Sequence, residues 1–137
     1  VSDFRVSSFD PARERPAPTK FQGHSLDGEE RTFVLTRTTL VVAVKPHCDG
    51  CHSFVHGDAA SLEGVDVLIV SARASDDDEW DAAARDVVIS PQLLEELQIR
   101  SAPHYVVIDP TVSRVVAEGV PFSPAQVANE IVAFLNT

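Results

Sequence analysis

The sequence contains no methionine, one tryptophan, one tyrosine and only two cysteines among 137 residues. Two cysteines cannot build the framework of a small secreted scaffold, whose bridges are spread along the chain. Both instead stand in a single Cys-x-x-Cys pair, Cys48 and Cys51. No stretch approaches the roughly 20 consecutive apolar residues of a bilayer-crossing helix. Basic residues are scarce too, with 11 Lys and Arg against 21 Asp and Glu and a net charge of −10. Nucleic acid and anionic membrane surfaces are held by clustered cations, so neither is expected as a partner. Without methionine, Val1 is not a translation start, and the chain reads as a processed or trimmed piece. A removed N-terminal signal or anchor is then the one membrane association expected.

Apolar residues make up 44% of the chain, enough for one domain with a buried core. Residues 40–45 read LVVAVK, five apolar residues in six. That run is too short for an ordinary helix and fits a strand buried on both faces. Pro46 ends it, Cys48-Asp49-Gly50-Cys51 follows, and residues 52–62 predict a helix shortened or broken by Gly57. Upstream, residues 21–24 and 31–35 flank Leu26-Asp27-Gly28-Glu29, an Asp-Gly pair that predicts a β-hairpin. Residues 1–20 hold Pro11, Pro16 and Pro18 without a sustained period and read as an extended tether or lead-in, pinned by Phe4 and Phe9. Residues 21–137 form the domain.

Downstream, residues 65–71 (VDVLIVS) predict a second buried strand. Asp76, Asp77, Asp78 and Glu79 precede a short helix over 79–85, where acid complements the helix dipole. Residues 87–89 predict a short strand, and Ser90-Pro91 caps a helix through about Gln98. Residues 104–109 (HYVVID) predict a third long strand, with 114–118 as its antiparallel partner. Ser123-Pro124-Ala125-Gln126 is a capping box that starts a helix with Val127, Ile131, Phe134 and Leu135 on one face. The class is α/β: a central mixed β-sheet flanked by helices, with an N-terminal β-hairpin extension.

A buried strand running into Cys-x-x-Cys at a helix start is the setting of thiol–disulfide redox chemistry. Cys48 stands at the helix end, where unpaired N–H groups and the dipole favour its thiolate, and is read as the attacking thiol. Cys51, three residues on, lies over the same face and is read as the resolving thiol. His47 and Asp49 flank the nucleophile and tune it in opposite directions: a protonated imidazole favours the thiolate and a carboxylate disfavours it. Other readings stay open. A structural disulfide across so short a loop would confine little chain. Cys48-Asp49-Gly50-Cys51-His52 also matches the attachment pattern of c-type haem, which needs a second axial ligand, and methionine is absent. His47, His52 and His56 beside two thiols suggest copper or zinc handling. Residues 48, 52 and 56 of one helix, however, form a stripe with steps of about 6 Å, too spread to surround one ion. No metal site is assigned and no cofactor is expected; His56 and His104 read as exposed or hydrogen-bonded surface residues.

The order β-α-β-α-β-β-α behind a hairpin, with Cys-x-x-Cys opening the first helix, resembles the thioredoxin-like superfamily. Ile99-Arg100-Ser101-Ala102-Pro103-His104 is similar to the segment in which that family places a cis-proline before a core strand. The resemblance implies that Pro103, with Ala102, faces the disulfide and shapes the substrate groove. The Leu26-Asp27-Gly28 hairpin looks like the membrane-tethered, extracytoplasmic thiol–disulfide oxidoreductases. Residues 88–119 are similar to the thioredoxin-like accessory proteins of methylamine utilisation. What this implies is an oxidoreductase acting on a protein disulfide or dithiol, with a redox partner protein, outside the cytoplasm. The resemblance covers about residues 21–135. Three positions depart from it: His47 replaces the usual Trp, Asp49-Gly50 replaces Gly-Pro, and Val42 stands where thioredoxins bury an acid.

Overall fold

The computed structural model describes residues 15–56, 64–75, 79–80, 87–121 and 123–135. Its strands are β1 (Arg15–Pro16), β2 (Lys20–His24), β3 (Glu30–Val34), β4 (Thr39–Val44), β5 (Asp66–Ser71), β6 (Val87–Ile89), β7 (His104–Asp109) and β8 (Arg114–Gly119). The helices are α1 (His52–His56), α2 (Pro91–Glu96) and α3 (Pro124–Leu135). The strands form one mixed sheet in the order β1-β8-β7-β4-β5-β6-β2-β3. β4 is parallel to β5 and antiparallel to β7, and β5 is parallel to β6.

All six residues of β4 are buried, as a strand covered on both faces requires. Alternation sends Leu40, Val42 and Val44 into one core with Cys51, Phe54, Trp80, Tyr105, Val127 and Ile131. Val41 and Ala43 enter a second core, with Phe21, Leu93, Leu97, Val106 and Ile108. Each fully buried Val or Leu here contributes roughly 1.5–3 kcal/mol before the entropy of ordering is subtracted. The first core lies under α1 and α3 and the second under α2, so the sheet separates two packed layers.

The caps form as the sequence predicts. Ser90 Oγ accepts the N–H of Leu93 at 3.3 Å, and Pro91 fills the first helical position. Ser123 Oγ accepts the N–H of Gln126 while Gln126 Oε1 accepts that of Ser123, a reciprocal capping box. The β2–β3 hairpin joins the sheet where His24 pairs with Ile89, and Ser90 Oγ donates to Gln22 O at 2.8 Å. Gly23 makes that docking possible, because a Cβ there would sit 2.9 Å from Ile89 O.

Within the expected lead-in, Arg15 and Pro16 form a short strand. β1 pairs antiparallel with β8, and Arg15 is buried at 8% exposure. Its guanidinium forms a salt bridge with Glu118 at 2.9 Å and donates to Leu97 O at 2.8 and 3.1 Å. A partner near the C-terminus draws a proline-rich segment into the sheet. Phe4 and Phe9 lie outside the described residues. Of the helix expected over 52–62, α1 covers His52–His56, and 57–63 lie outside the described residues. Glu79 and Trp80 stand in a turn, and 81–85 of the helix expected there also lie outside. No helix among the described residues is long and apolar enough to cross a membrane.

Candidate active site

The end of β4 delivers the site. Beyond Val44 the chain passes exposed Lys45 and buried Pro46 and reaches His47, whose φ of 59° lies in the left-handed region. Non-glycine residues seldom adopt that conformation, although His is among those that tolerate it. Glu79 holds it in place. Its carboxylate accepts the backbone N–H of His47 at 2.9 and 3.2 Å, lies 3.5 Å from His47 Nδ1, and accepts the Ser75 hydroxyl at 2.8 Å.

Cys48 follows in an extended conformation and caps a 3-10 turn over Asp49–Cys51, which runs straight into α1. The N–H of Cys51 closes the turn by donating to Cys48 O at 3.1 Å. Cys48 and Cys51 are joined as a disulfide, with their Cα atoms 5.3 Å apart. The two cysteines differ in exposure. Cys48 is partly exposed, whereas Cys51 is 2% exposed within the first core. Such asymmetry suits one attacking and one resolving thiol.

The Ala102–Pro103 peptide bond is cis. The Pro103 ring lies over the motif, so that a Cβ on Gly50 would come 3.3 Å from Pro103 Cγ. Ala102 and Cys48 both pack against the core that holds Cys51. Thus Cys48, Cys51, Ala102 and Pro103 gather at one place, from segments more than fifty positions apart. Asp49 is solvent-exposed on the turn beside Cys48. The His47 side chain is 59% exposed and faces Glu79.

The remaining histidines fall elsewhere. His52 and His56 place their rings 4.6 Å apart on α1. Among the described residues no group of three or more His, Cys, Asp or Glu side chains is placed to hold a metal ion. His104 Nε2 lies 3.0 Å from Glu118 Oε1 and belongs to the buried Arg15 network. Val42 is fully buried among apolar side chains. Among the described residues the one buried carboxylate is Glu118, whose register partner Val106 faces the second core, away from Cys51. On the Cys51 side of the sheet, the buried Tyr105 donates its hydroxyl to Glu130 at 2.6 Å.

Glu79 is the site residue that sequence reasoning missed. The acidic run was legible as local helix electrostatics, but the bond from Glu79 to His47 spans 32 residues.

Solved structures share this fold. The thioredoxin domain of a thiol-disulfide oxidoreductase from Bacteroides vulgatus matches with a TM-score of 0.61 at 20% identity, over 88% of this chain and 95% of that one. The chain has a thioredoxin fold. A DsbF homologue from Corynebacterium diphtheriae matches with a TM-score of 0.61 at 14% identity, over 93% of this chain and 92% of its own. An exposed lipoprotein thioredoxin from Streptococcus pneumoniae matches at 0.55 and 18% identity, over 81% of this chain and 98% of its own. No protein-family model matches the sequence, and no curated protein matches it. Relative to thioredoxin-fold expectations, the mixed sheet, flanking helices and N-terminal hairpin all stand as the sequence predicts.

Proposed function

We propose that the protein is a thiol–disulfide oxidoreductase that acts on protein disulfides or dithiols through Cys48 and Cys51. The observation that carries this is the disulfide itself, joining a partly exposed and a buried cysteine beside Pro103 beyond the end of a central strand. Similarly folded proteins support it, among them a thiol-disulfide oxidoreductase from Bacteroides vulgatus and a thiol:disulfide interchange protein from Bacteroides sp..

In the reducing direction, the Cys48 thiolate attacks a substrate disulfide sulfur. The substrate S–S bond breaks, one substrate thiolate leaves and takes up a proton, and a mixed disulfide remains. The Cys51 thiolate then attacks the Cys48 sulfur and releases the second substrate thiol. Two electrons have passed to the substrate, and the protein holds its Cys48–Cys51 disulfide. Run backwards, the same steps oxidise a substrate dithiol, and a redox partner protein resets the cycle. Ala102 and Pro103 form the wall against which substrate backbone lies, and His47 and Asp49 set how readily Cys48 ionises. Val42 stands where thioredoxins bury an acid and is packed among apolar side chains, so the Cys51 proton passes to another base or to water. We place the activity outside the cytoplasm, supported by the exposed lipoprotein thioredoxin of like fold.

The roles are tested by trapping. Cys51→Ser should accumulate mixed disulfides with substrate proteins, and Cys48→Ser should accumulate none. Equal trapping by the two variants would overturn the assignment.

A further inference from the structure

On the α2 side of the sheet lies a groove of about 470 Å³ that reaches Ala102, next to Pro103. Its floor is the ends of β4 and β5, and its walls are α2 and the segment 98–102 that leads into Pro103. Ala102 belongs to both groove and site, and Leu94 and Ile99 give the groove an apolar lining.

The rim is basic. Lys45, Arg73 and Arg100 line it, all exposed, against one carboxylate, Glu95. The chain carries a net charge of −10, yet three of the eight Lys and Arg side chains among the described residues converge here. None of the three is paired with a carboxylate among the described residues, whereas Arg15 and Arg37 are spent on Glu118 and Asp66. Unpaired cations collected around a concave surface are a recognition site for carboxylates, which guanidinium groups can grip with two parallel hydrogen bonds.

We propose that this groove takes an acidic segment of the polypeptide substrate, a few residues from the cysteine that exchanges with Cys48. The proposal deepens the oxidoreductase reading and rests on it. The reach is right: Lys45 stands three residues before Cys48, so their Cα atoms are at most about 11 Å apart, the span of three extended residues of substrate. Asp or Glu three to five residues from the substrate cysteine therefore meets the basic rim. Lysine at those positions meets like charge, so the groove rejects as well as selects.

The overall charge makes the test discriminating, because a protein of net charge −10 with no such groove would favour a basic substrate. Exchange of the reduced protein is followed with three synthetic peptide disulfides, whose residues three to five positions from cysteine are Glu, Ser or Lys. Bis(2-hydroxyethyl) disulfide serves as a small uncharged control. Wild type should react with the Glu peptide about tenfold faster than with the Ser peptide, as two or three exposed ion pairs of ordinary strength would give. The Lys peptide should be slowest, and the spread should shrink at 0.5 M salt, as screening requires (a Debye length of about 3–5 Å at such ionic strength). Combined Lys45→Gln, Arg73→Gln and Arg100→Gln should bring the Glu peptide down to the Ser peptide, each rate taken relative to the small control. Equal wild-type rates for the three peptides, or a Glu preference that survives the triple substitution, would overturn the groove while leaving the oxidoreductase reading intact. Failure of wild type to react even with the small disulfide would overturn both.

Discussion

Glu79 fixes His47: its carboxylate accepts the backbone N–H at 2.9 Å, directly before the first cysteine. The bond holds a non-glycine residue at φ 59°, and so sets the direction in which the chain enters the motif. The redox turn is thereby tied to the segment following β5, not only to its own helix.

Removing that tie should be measurable. Glu79→Ala leaves the His47 N–H without its charged acceptor and should cost the oxidised protein about 1 kcal/mol, read from denaturant unfolding, since the carboxylate is partly exposed. His47→Gly keeps the acceptor and removes the left-handed penalty, so it should be neutral or slightly stabilising. A large loss on His47→Gly would mean that the imidazole, rather than the backbone, carries the contact.

Asp49→Asn should increase the thiolate fraction of Cys48 at a given pH and make the protein a stronger oxidant. Asp49 sits exposed on the turn directly after Cys48, and a negative charge facing the sulfur would oppose its ionisation. Stabilising the thiolate stabilises the reduced form. Ultraviolet thiolate titration paired with glutathione redox equilibria checks this; an unchanged titration would mean that the carboxylate points away.

Arg15→Ala should destabilise the protein by about 3 kcal/mol, because it strands a buried Glu118 carboxylate. The value lies at the lower end for broken buried pairs because His104 stays within 3.0 Å of Glu118. A double variant, Arg15→Met with Glu118→Leu, should be more stable than Arg15→Ala in the same urea unfolding assay, since no charge is left buried alone.

The hairpin turn carries a pH dependence of known sign. The Ser25 hydroxyl and the Glu29 N–H both donate to Asp27 and hold its carboxyl below the ordinary value. A carboxyl lowered on folding adds stability that is fully present above about pH 4 and is lost as pH falls through the folded value. The difference in melting temperature between wild type and Asp27→Asn should therefore shrink between pH 6 and pH 2, and a carbon-detected titration should place Asp27 below free aspartate.

Elements whose cause is local were legible in the sequence. The 40–45 run, the Asp27-Gly28 turn, the Ser90-Pro91 cap and the Ser123–Gln126 box each carry their signal within a few residues, and each stands where it was read. Cys48 and Cys51 were legible for the same reason. What escaped were contacts between distant residues. Arg15 reads as part of a proline-rich lead-in that packs only locally, because its partner Glu118 lies 103 residues away. Glu79 read as a helix-start acid because nothing near it announces His47. The basic groove collects Lys45, Arg73 and Arg100 from three separate segments, each unremarkable alone.

The alternation of β4 also bears on how this chain can vary. Leu40, Val42 and Val44 serve the disulfide side, while Val41 and Ala43 serve the other. Inserting or deleting one residue within the strand would exchange the two sets and carry the cysteines half a pleat out of place. Side chains along β4 can drift among apolar types of similar volume. Its length cannot, so drift in this segment is confined to substitution, and insertions and deletions belong to the loops beyond it.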